Sequence, residues 1–431
     1  MTRSATREQL GRAVRAQLFR SPRACGGDSG CAHADGVDSR HAGVCLSLPG
    51  GDSRLRRAST CQQGRSGRSI RGIQRRAEAP IEASLPFDVL GLDVGYELIR
   101  VVDPSMGGML VERISAWRRQ VAAELGIVIP PVHIRDNLEL APGDYRFLLL
   151  GANVASGAIR GGRLLAMDAT GSAPPIEGEE TVDPTFGTPA RWILARDREL
   201  AEAMGYTVVE AVTIIATHLA EFARSHADQI LGRAELQALF DLFSQTNPKL
   251  VEDLVPNLLS VGEMLRLMRN WLKEGVSIRD LRTILESLIE LGPQTRDPEQ
   301  LTELVRQELS RQITANFTGQ DGSIAALVLD PEVEEMFRRS LAEISQGTSG
   351  ALDPERPRNL GDKLFGPMER VQNMGLIPCL VTSPDLRRYV RAFAERRCPA
   401  PGVLSFREVE PTTHIRPVES ISFGATNVGV A

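Results

Sequence analysis

The sequence has almost no lysine. Its basic residues are arginines except for Lys249, Lys273 and Lys363, none of which follows a glycine, so a phosphate loop whose lysine reaches a nucleotide is excluded. HExxH, GxSxG and paired CxxC spacings are also missing, which removes the usual zinc-protease, nucleophile-elbow and zinc-ribbon readings. The mostly apolar stretches are short, such as Tyr145 to Leu150, interrupted by Arg146, and Val212 to Ala216, interrupted by Thr213, against the roughly 18 consecutive apolar residues of a membrane-spanning helix. The polypeptide as written is expected not to cross a bilayer.

What is present is ordinary globular composition over 431 residues, 42% hydrophobic and 24% charged, enough for about two to four domains. The net charge of −5 hides a division. Residues 1–79 carry 15 Arg, no Lys and 6 acids, a net of +9, whereas residues 80–431 carry 35 basic and 49 acidic residues, a net of −14. The acidic majority argues against duplex DNA as the main ligand, since such affinity rests on neutralising phosphates.

Cys25, Cys31, Cys45 and Cys61 lie in the basic segment with His33 and His41, and only Cys379 and Cys398 lie elsewhere. The spacings are irregular, so no metal is assigned to them. No apolar stretch follows the early arginines, as a secretory signal requires. Residues 1–76 therefore read as a disordered basic segment, with the Arg, Gly and Ser bias of a GC-rich gene translated out of frame, and so not necessarily native.

From Gly95 the pattern is dense. Residues 95–103 (GYELIRVVD) alternate as a strand, and Leu110, Ile114, Trp117, Val121 and Leu125 form one helical stripe closed by Gly126. Short strands are predicted over 127–136, 144–150, 153–159 and 163–169. A Pro- and Gly-rich stretch, 171–190, leads to strands at 191–194 and 206–209 around a short helix, 197–204. A helix over 211–226 follows, burying Val212, Ile215, Leu219 and Phe222 and leaving Thr217 on another face.

Helices are predicted over 232–246, 248–255, 260–274, 278–291 and 298–318, with Ser260 and Glu263 as a capping box and Asp297 before Pro298 as a start. The last hundred residues return to strands at 324–329, 376–382, 402–408 and 414–421. Helices capped by Asp330-Pro331, Asp353-Pro354 and Ser383-Pro384 separate them. The fold class is α+β with several subdomains.

Chemistry is harder to find. His218 and His226 are eight residues apart on one helix and could pair as ligands, but His133, His218, His226 and His414 read better as structural or surface residues. The acids Glu177, Glu179 and Glu180, and Glu332, Glu334 and Glu335, read as solvated or helix-start charges. Residues 260–291 have a helix–turn–helix look with Arg279 and Arg282 on the second helix, yet the stripe Leu281, Ile284, Leu285, Leu288 argues for plain packing. A soluble α/β hydrolase or transferase, or a nucleic-acid-binding regulator using the basic arm, are the alternatives from other classes.

Residues of about 80–431 resemble the cytosolic domain of the flagellar and virulence type III export-gate family (the FlhA/LcrD family). The resemblance rests on GYELIRVVD (95–103), IPPVHIRDNLEL (129–140), DPTFGTPARWI (183–193), GYTVVEAVTIIATHLAEF (205–222), DLVPNLLS (253–260) and EGVSIRDLRTILESL (274–288). It implies an export platform with no enzymatic activity, cofactor or metal, at the cytoplasmic face of the bacterial inner membrane. It also implies a homo-nonameric ring that docks flagellar export chaperones with cargo, the soluble export ATPase complex and other export-gate membrane proteins, and no nucleic acid. The family's membrane domain is not found in the chain, and the basic segment stands in its place.

The subdomain plan that the resemblance implies is a linker at 77–90 and a first α+β subdomain at 91–162 and 211–230, with a second inserted at 163–210. A helical third would follow at 231–310 and an α/β fourth at 311–431. The family's chaperone-docking dimple uses the Asp and Phe of a DPxF motif and the Thr of an ATHL motif, which are Asp183, Phe186 and Thr217 here. Those matches point to the flagellar branch, with a virulence-type export gate as the alternative. On sequence physics alone, Asp183 could simply hold a turn and Phe186 could be core.

Overall fold

A computed structural model describes residues 88–422 except for 104–107, 169–172, 320, 346–363, 373–375 and 396–400. The basic segment 1–76, nearly all of the expected linker and the helix start at Asp353-Pro354 lie outside the described residues.

Three four-stranded sheets organise these residues. The first contains β1 (Leu90–Val94), β2 (Val132–Asp136), β3 (Asp144–Leu149) and β4 (Ala152–Ala158) in the order β2-β1-β3-β4. β1 runs parallel to β2 and antiparallel to β3, and all five of its residues are buried. β3 alternates, placing Tyr145, Phe147 and Leu149 inward. Between β1 and β2 lies α1 (Leu110–Leu125), whose buried residues Leu110, Ile114, Trp117 and Val121 are the stripe expected from the sequence. It ends at Gly126 with φ of 78°, a left-handed cap that a side chain rarely adopts.

The first strand corrects the sequence reading. Residues 95–103 do not form a strand: Tyr96–Leu98 is a 3-10 turn and Ile99–Val102 one helical turn, while the strand lies just before them. The strand Leu90–Val94 offers only three alternating apolar residues, and its second face carries Gly91 and the buried Asp93, which pairs with Arg146; glycine and aspartate are both depleted in strands. Gly95 then carries the chain against Ala141 and Pro142, where an added Cβ would lie 2.2 Å from the Ala141 carbonyl oxygen. Likewise, the strand expected over 127–136 begins only at Val132, after Pro130 and Pro131, because proline offers no N–H to a ladder.

The second sheet is antiparallel, in the order β6-β7-β5-β8, from β5 (Arg163–Met167), β6 (Glu179–Val182), β7 (Pro189–Leu194) and β8 (Thr207–Val209). The short α2 (Arg198–Ala203) precedes β8. The chain then enters α3 (Ala211–Ser225), which packs on α1 and touches β5, so it joins the first two sheets. Its buried face is broader than predicted and includes Ile214, Ala216, His218 and Ala223 besides Ile215, Leu219 and Phe222.

Seven helices follow: α4 (Ala227–Ile230), α5 (Arg233–Ser244), α6 (Pro248–Leu254), α7 (Val261–Lys273), α8 (Leu281–Leu291), α9 (Pro298–Glu308) and α10 (Ser310–Phe317). The Ser260 hydroxyl accepts from the Glu263 N–H, completing the capping box, and the Asp297 carboxylate accepts from the Glu299 N–H. The predicted helix over 298–318 is two helices that meet at Leu309, itself buried. The stripe Leu281, Ile284, Leu285 and Leu288 is entirely buried, consistent with packing rather than groove reading.

The third sheet is wholly parallel, in the order β11-β10-β9-β12, with β9 (Ser323–Leu329), α11 (Pro331–Ser345), a helical stretch at 364–372, β10 (Cys379–Thr382), α12 (Arg387–Ala394), β11 (Gly402–Ser405) and β12 (His414–Ile421) in chain order. β11 ends four residues into the expected 402–408 because Glu408 turns back, its carboxylate accepting from the Ser405 N–H. Glu408 is fully buried there beside Arg306, whose Nε and Nη2 donate to it at 2.9 and 3.2 Å.

Candidate functional site

Asp183 and Phe186 lie in the turn between β6 and β7. Pro184 breaks the ladder after β6, and Gly187 takes φ of 67°, so the six residues between Val182 and Pro189 reverse the chain. The Asp183 carboxylate oxygen Oδ2 accepts the N–H of Phe186 at 2.7 Å and of Thr185 at 3.1 Å. Its main chain closes the turn from both sides, donating to the Thr188 carbonyl and accepting from the Gly187 N–H. Asp183 is only 3% exposed. Burial pushes its carboxyl up, against the Phe186 and Thr185 N–H groups that hold it down.

The turn presents Phe186 half-buried against the main hydrophobic core, with Val182 exposed beside it. Asp183 thus does hold a turn and Phe186 does touch the core, while part of the ring faces outward. The second oxygen of Asp183, Oδ1, takes no hydrogen bond from any described residue. Thr217 is half-buried in the middle of α3, at the margin of that helix's buried face.

Against α3 packs a residue that the sequence did not single out. Tyr145, on β3, is completely buried, and its hydroxyl lies 2.9 Å from Nδ1 of His218, the residue after Thr217. Burial, and after it the negative charge of Asp183, push the phenol's pKa up. Burial lowers the His218 imidazole to about 4. With the phenol protonated and the ring neutral, the hydroxyl donates to Nδ1, in the tautomer carrying hydrogen on Nε2. Phe147 packs edge-on to His218 at 4.9 Å, and Gly157 on β4 gives the hydroxyl room, since a Cβ there would lie 2.4 Å from it.

His218 is therefore a structural histidine. His226 turns its Nδ1 to the Phe222 carbonyl at 2.9 Å and does not join it as a ligand. Among the described residues no three His, Cys, Asp or Glu side chains converge to hold a metal. Glu179 pairs with Arg160 and Arg163, Glu180 pairs with Arg191, and Glu334 accepts from the Thr382 hydroxyl and from the Ser383 N–H and hydroxyl. These acids serve folding. A separate groove of about 920 Å³ runs between α1 and α5, lined by Arg118, Arg119, Leu242, Phe243 and Arg279 among others, away from the Asp183 turn.

The FHIPEP family matches residues 1–414. The chain is 36% identical over 424 residues to the flagellar biosynthesis protein FlhA of Proteus mirabilis, covering 96% of this chain and 60% of that one. It is 40% identical over 339 residues to FlhA of Escherichia coli (strain K12), covering 78% of this chain and 48% of that one. The chain thus spans about half to three-fifths of the length of these relatives. Among solved structures, the Chlamydia pneumoniae CdsV protein in complex with CdsO aligns at a TM-score of 0.68 and 27% identity, over 78% of this chain and 98% of that one. The nonameric SctV-C of EPEC shares the fold at a TM-score of 0.62 and 23% identity, over 78% and 99%. No described helix is long and apolar enough to cross a membrane.

Proposed function

The chain belongs to the FHIPEP family, and on that premise we propose that it is the cytosolic platform of a flagellar-type protein export gate, docking chaperone–cargo complexes around Asp183, Phe186 and Thr217. The observation that carries the docking role is the Asp183 turn. A buried carboxylate spends one oxygen on fixing the backbone of Phe186, so an aromatic ring is held half-exposed at low conformational cost. Pre-organised aromatic anchors of this kind dominate interface energetics.

A type III role is supported by the FlhA relatives and by the CdsV fold. The flagellar branch is favoured because the FlhA proteins share 36% and 40% identity, above the 27% of the Chlamydia CdsV. A ring of copies and docking of a soluble ATPase-complex component at the cytoplasmic face of the inner membrane extend the same reading. The EPEC domain of this fold was solved as a nonamer, and CdsV was solved with CdsO. The subdomain plan fits it too: the second sheet closes before α3 returns to pack on α1. The boundaries proposed are 91–162 with 211–230, then 163–210, 231–310 and 311–431.

Titration calorimetry of a purified flagellar export chaperone–cargo complex against the full chain tests the reading. Saturable binding of about micromolar strength, lost in Phe186→Ala with an unchanged circular dichroism spectrum, supports it. A wild-type chain that binds nothing, or a variant that binds equally well, refutes it.

A further inference from the structure

Building on the docking role proposed above, we propose that Tyr145 and His218 are positioning residues, which seat α3, and with it Thr217, against the first sheet. The three candidate docking residues sit on two separate elements. Asp183 and Phe186 ride on the β6–β7 hairpin, and Thr217 rides on α3. Each element is internally well bonded: the turn by its own carboxylate and main chain, the helix by its ladder. A docking surface that spans both depends on where α3 is seated.

Tyr145 fixes one of the two, α3. It comes from the first sheet, on a strand held by β1 on one side and β4 on the other. Its hydroxyl reaches His218, the residue next to Thr217. Little solvent reaches the pair. Tyr145 is 0% and His218 8% exposed, and the neighbouring rings of Phe147 and Phe222 offer no polar group. A buried hydroxyl and imidazole nitrogen in such a place are costly unless they satisfy each other. The bond therefore specifies one seating of α3 on β3 out of the several that an apolar contact would tolerate.

The roles of the two residues are distinct from that of Phe186. Neither is accessible to a partner, so neither contributes contact area. Tyr145→Phe keeps the ring and removes only the hydroxyl. His218→Asn keeps an acceptor oxygen near the place of Nδ1, and His218→Phe removes it.

The test compares wild type, Tyr145→Phe, His218→Asn, His218→Phe and Phe186→Ala in the full chain. Two readouts are taken: calorimetric affinity for a flagellar chaperone–cargo complex, and hydrogen exchange of peptides covering 183–188 and 213–219. Tyr145→Phe and His218→Phe should weaken docking about tenfold, the scale of one buried bond lost, and should speed exchange in the 213–219 peptide while leaving 183–188 unchanged. His218→Asn should stay near wild type in both readouts. If Phe186→Ala abolishes docking while Tyr145→Phe leaves affinity and exchange unchanged, positioning is refuted and the docking role survives. If Phe186→Ala binds normally, the docking role fails; exchange then decides for positioning if it rises in Tyr145→Phe, and against it if it does not. Equal losses in His218→Asn and His218→Phe would overturn the assigned acceptor.

Discussion

Replacing Arg387 by methionine should be among the most destabilising single changes in the molecule. Its guanidinium is 0% exposed and donates to Glu274 at 2.5 and 2.9 Å and to Glu303 at 2.6 Å through two nitrogens. Arg306 shares Glu274 at 3.0 Å and holds Glu408 at 2.9 Å. The acids come from the end of α7, from α9 and from the turn after β11, so the cluster joins the helices to the parallel sheet. Burial alone would raise the Glu274 carboxyl, but the charges of Arg306 and Arg387 and the Arg387 bond outweigh it and hold the group at about 2. Methionine matches the stem of Arg387 and leaves Glu303 without its arginine and Glu274 with one fewer. Breaking a buried pair from one side costs about 3–5 kcal/mol, which for a unit of this size lowers the melting midpoint by about 4–7 °C. Differential scanning calorimetry reads it directly. The triple change Arg387→Met, Glu274→Gln, Glu303→Gln should recover part of the loss, because no lone charge is then left buried. A single-variant shift below about 2 °C, or a triple variant worse than the single, would refute the reasoning.

Other consequences follow from single positions. Between pH 6.5 and 4 the unfolded chain binds a proton that His218 refuses when folded. Stability should therefore fall as pH drops through that window, by up to about 3 kcal/mol; denaturant titrations at several pH values should show a flatter profile for His218→Asn. Gly126→Ala should destabilise the seam between α1 and the helices, since φ is 78° and a Cβ would lie 2.3 Å from the Arg279 nitrogen; a thermal midpoint equal to wild type would contradict this. Ser260→Ala removes the hydroxyl that accepts from the Glu263 N–H, and urea unfolding should show a loss of about 1 kcal/mol.

Much of this fold can be read from local pattern, and its limits are local too. The α1 stripe, the Gly126 stop and the Ser260–Glu263 box need only residues within a few turns of one another, so they are visible without a structure. β1 escapes because it is only five residues long and carries Gly91 and Asp93, residue types depleted in strands. The break at Leu309 escapes because the apolar spacing continues through it. At the candidate site, Asp183, Phe186 and Thr217 come from matched motifs. The Tyr145–His218 bond joins positions 73 residues apart, and a tyrosine in a strand carries no mark of its partner. His218 did carry a signal, its co-facial spacing with His226, and the structural reading preferred over a ligand pair agrees with its bond to Tyr145. The ion cluster is still less legible, since Arg387 reaches residues 113 and 84 positions away.

The docking surface itself is tested most directly by crosslinking. A photoreactive amino acid placed at position 186 of the full chain, and in parallel at Leu138, which is 82% exposed on the first sheet's side, would be irradiated with a flagellar chaperone–cargo complex. Crosslinks to the chaperone from position 186 and none from 138 are the predicted result. Equal crosslinking from both positions, or crosslinking from 138 alone, would contradict a docking site built on the Asp183 turn.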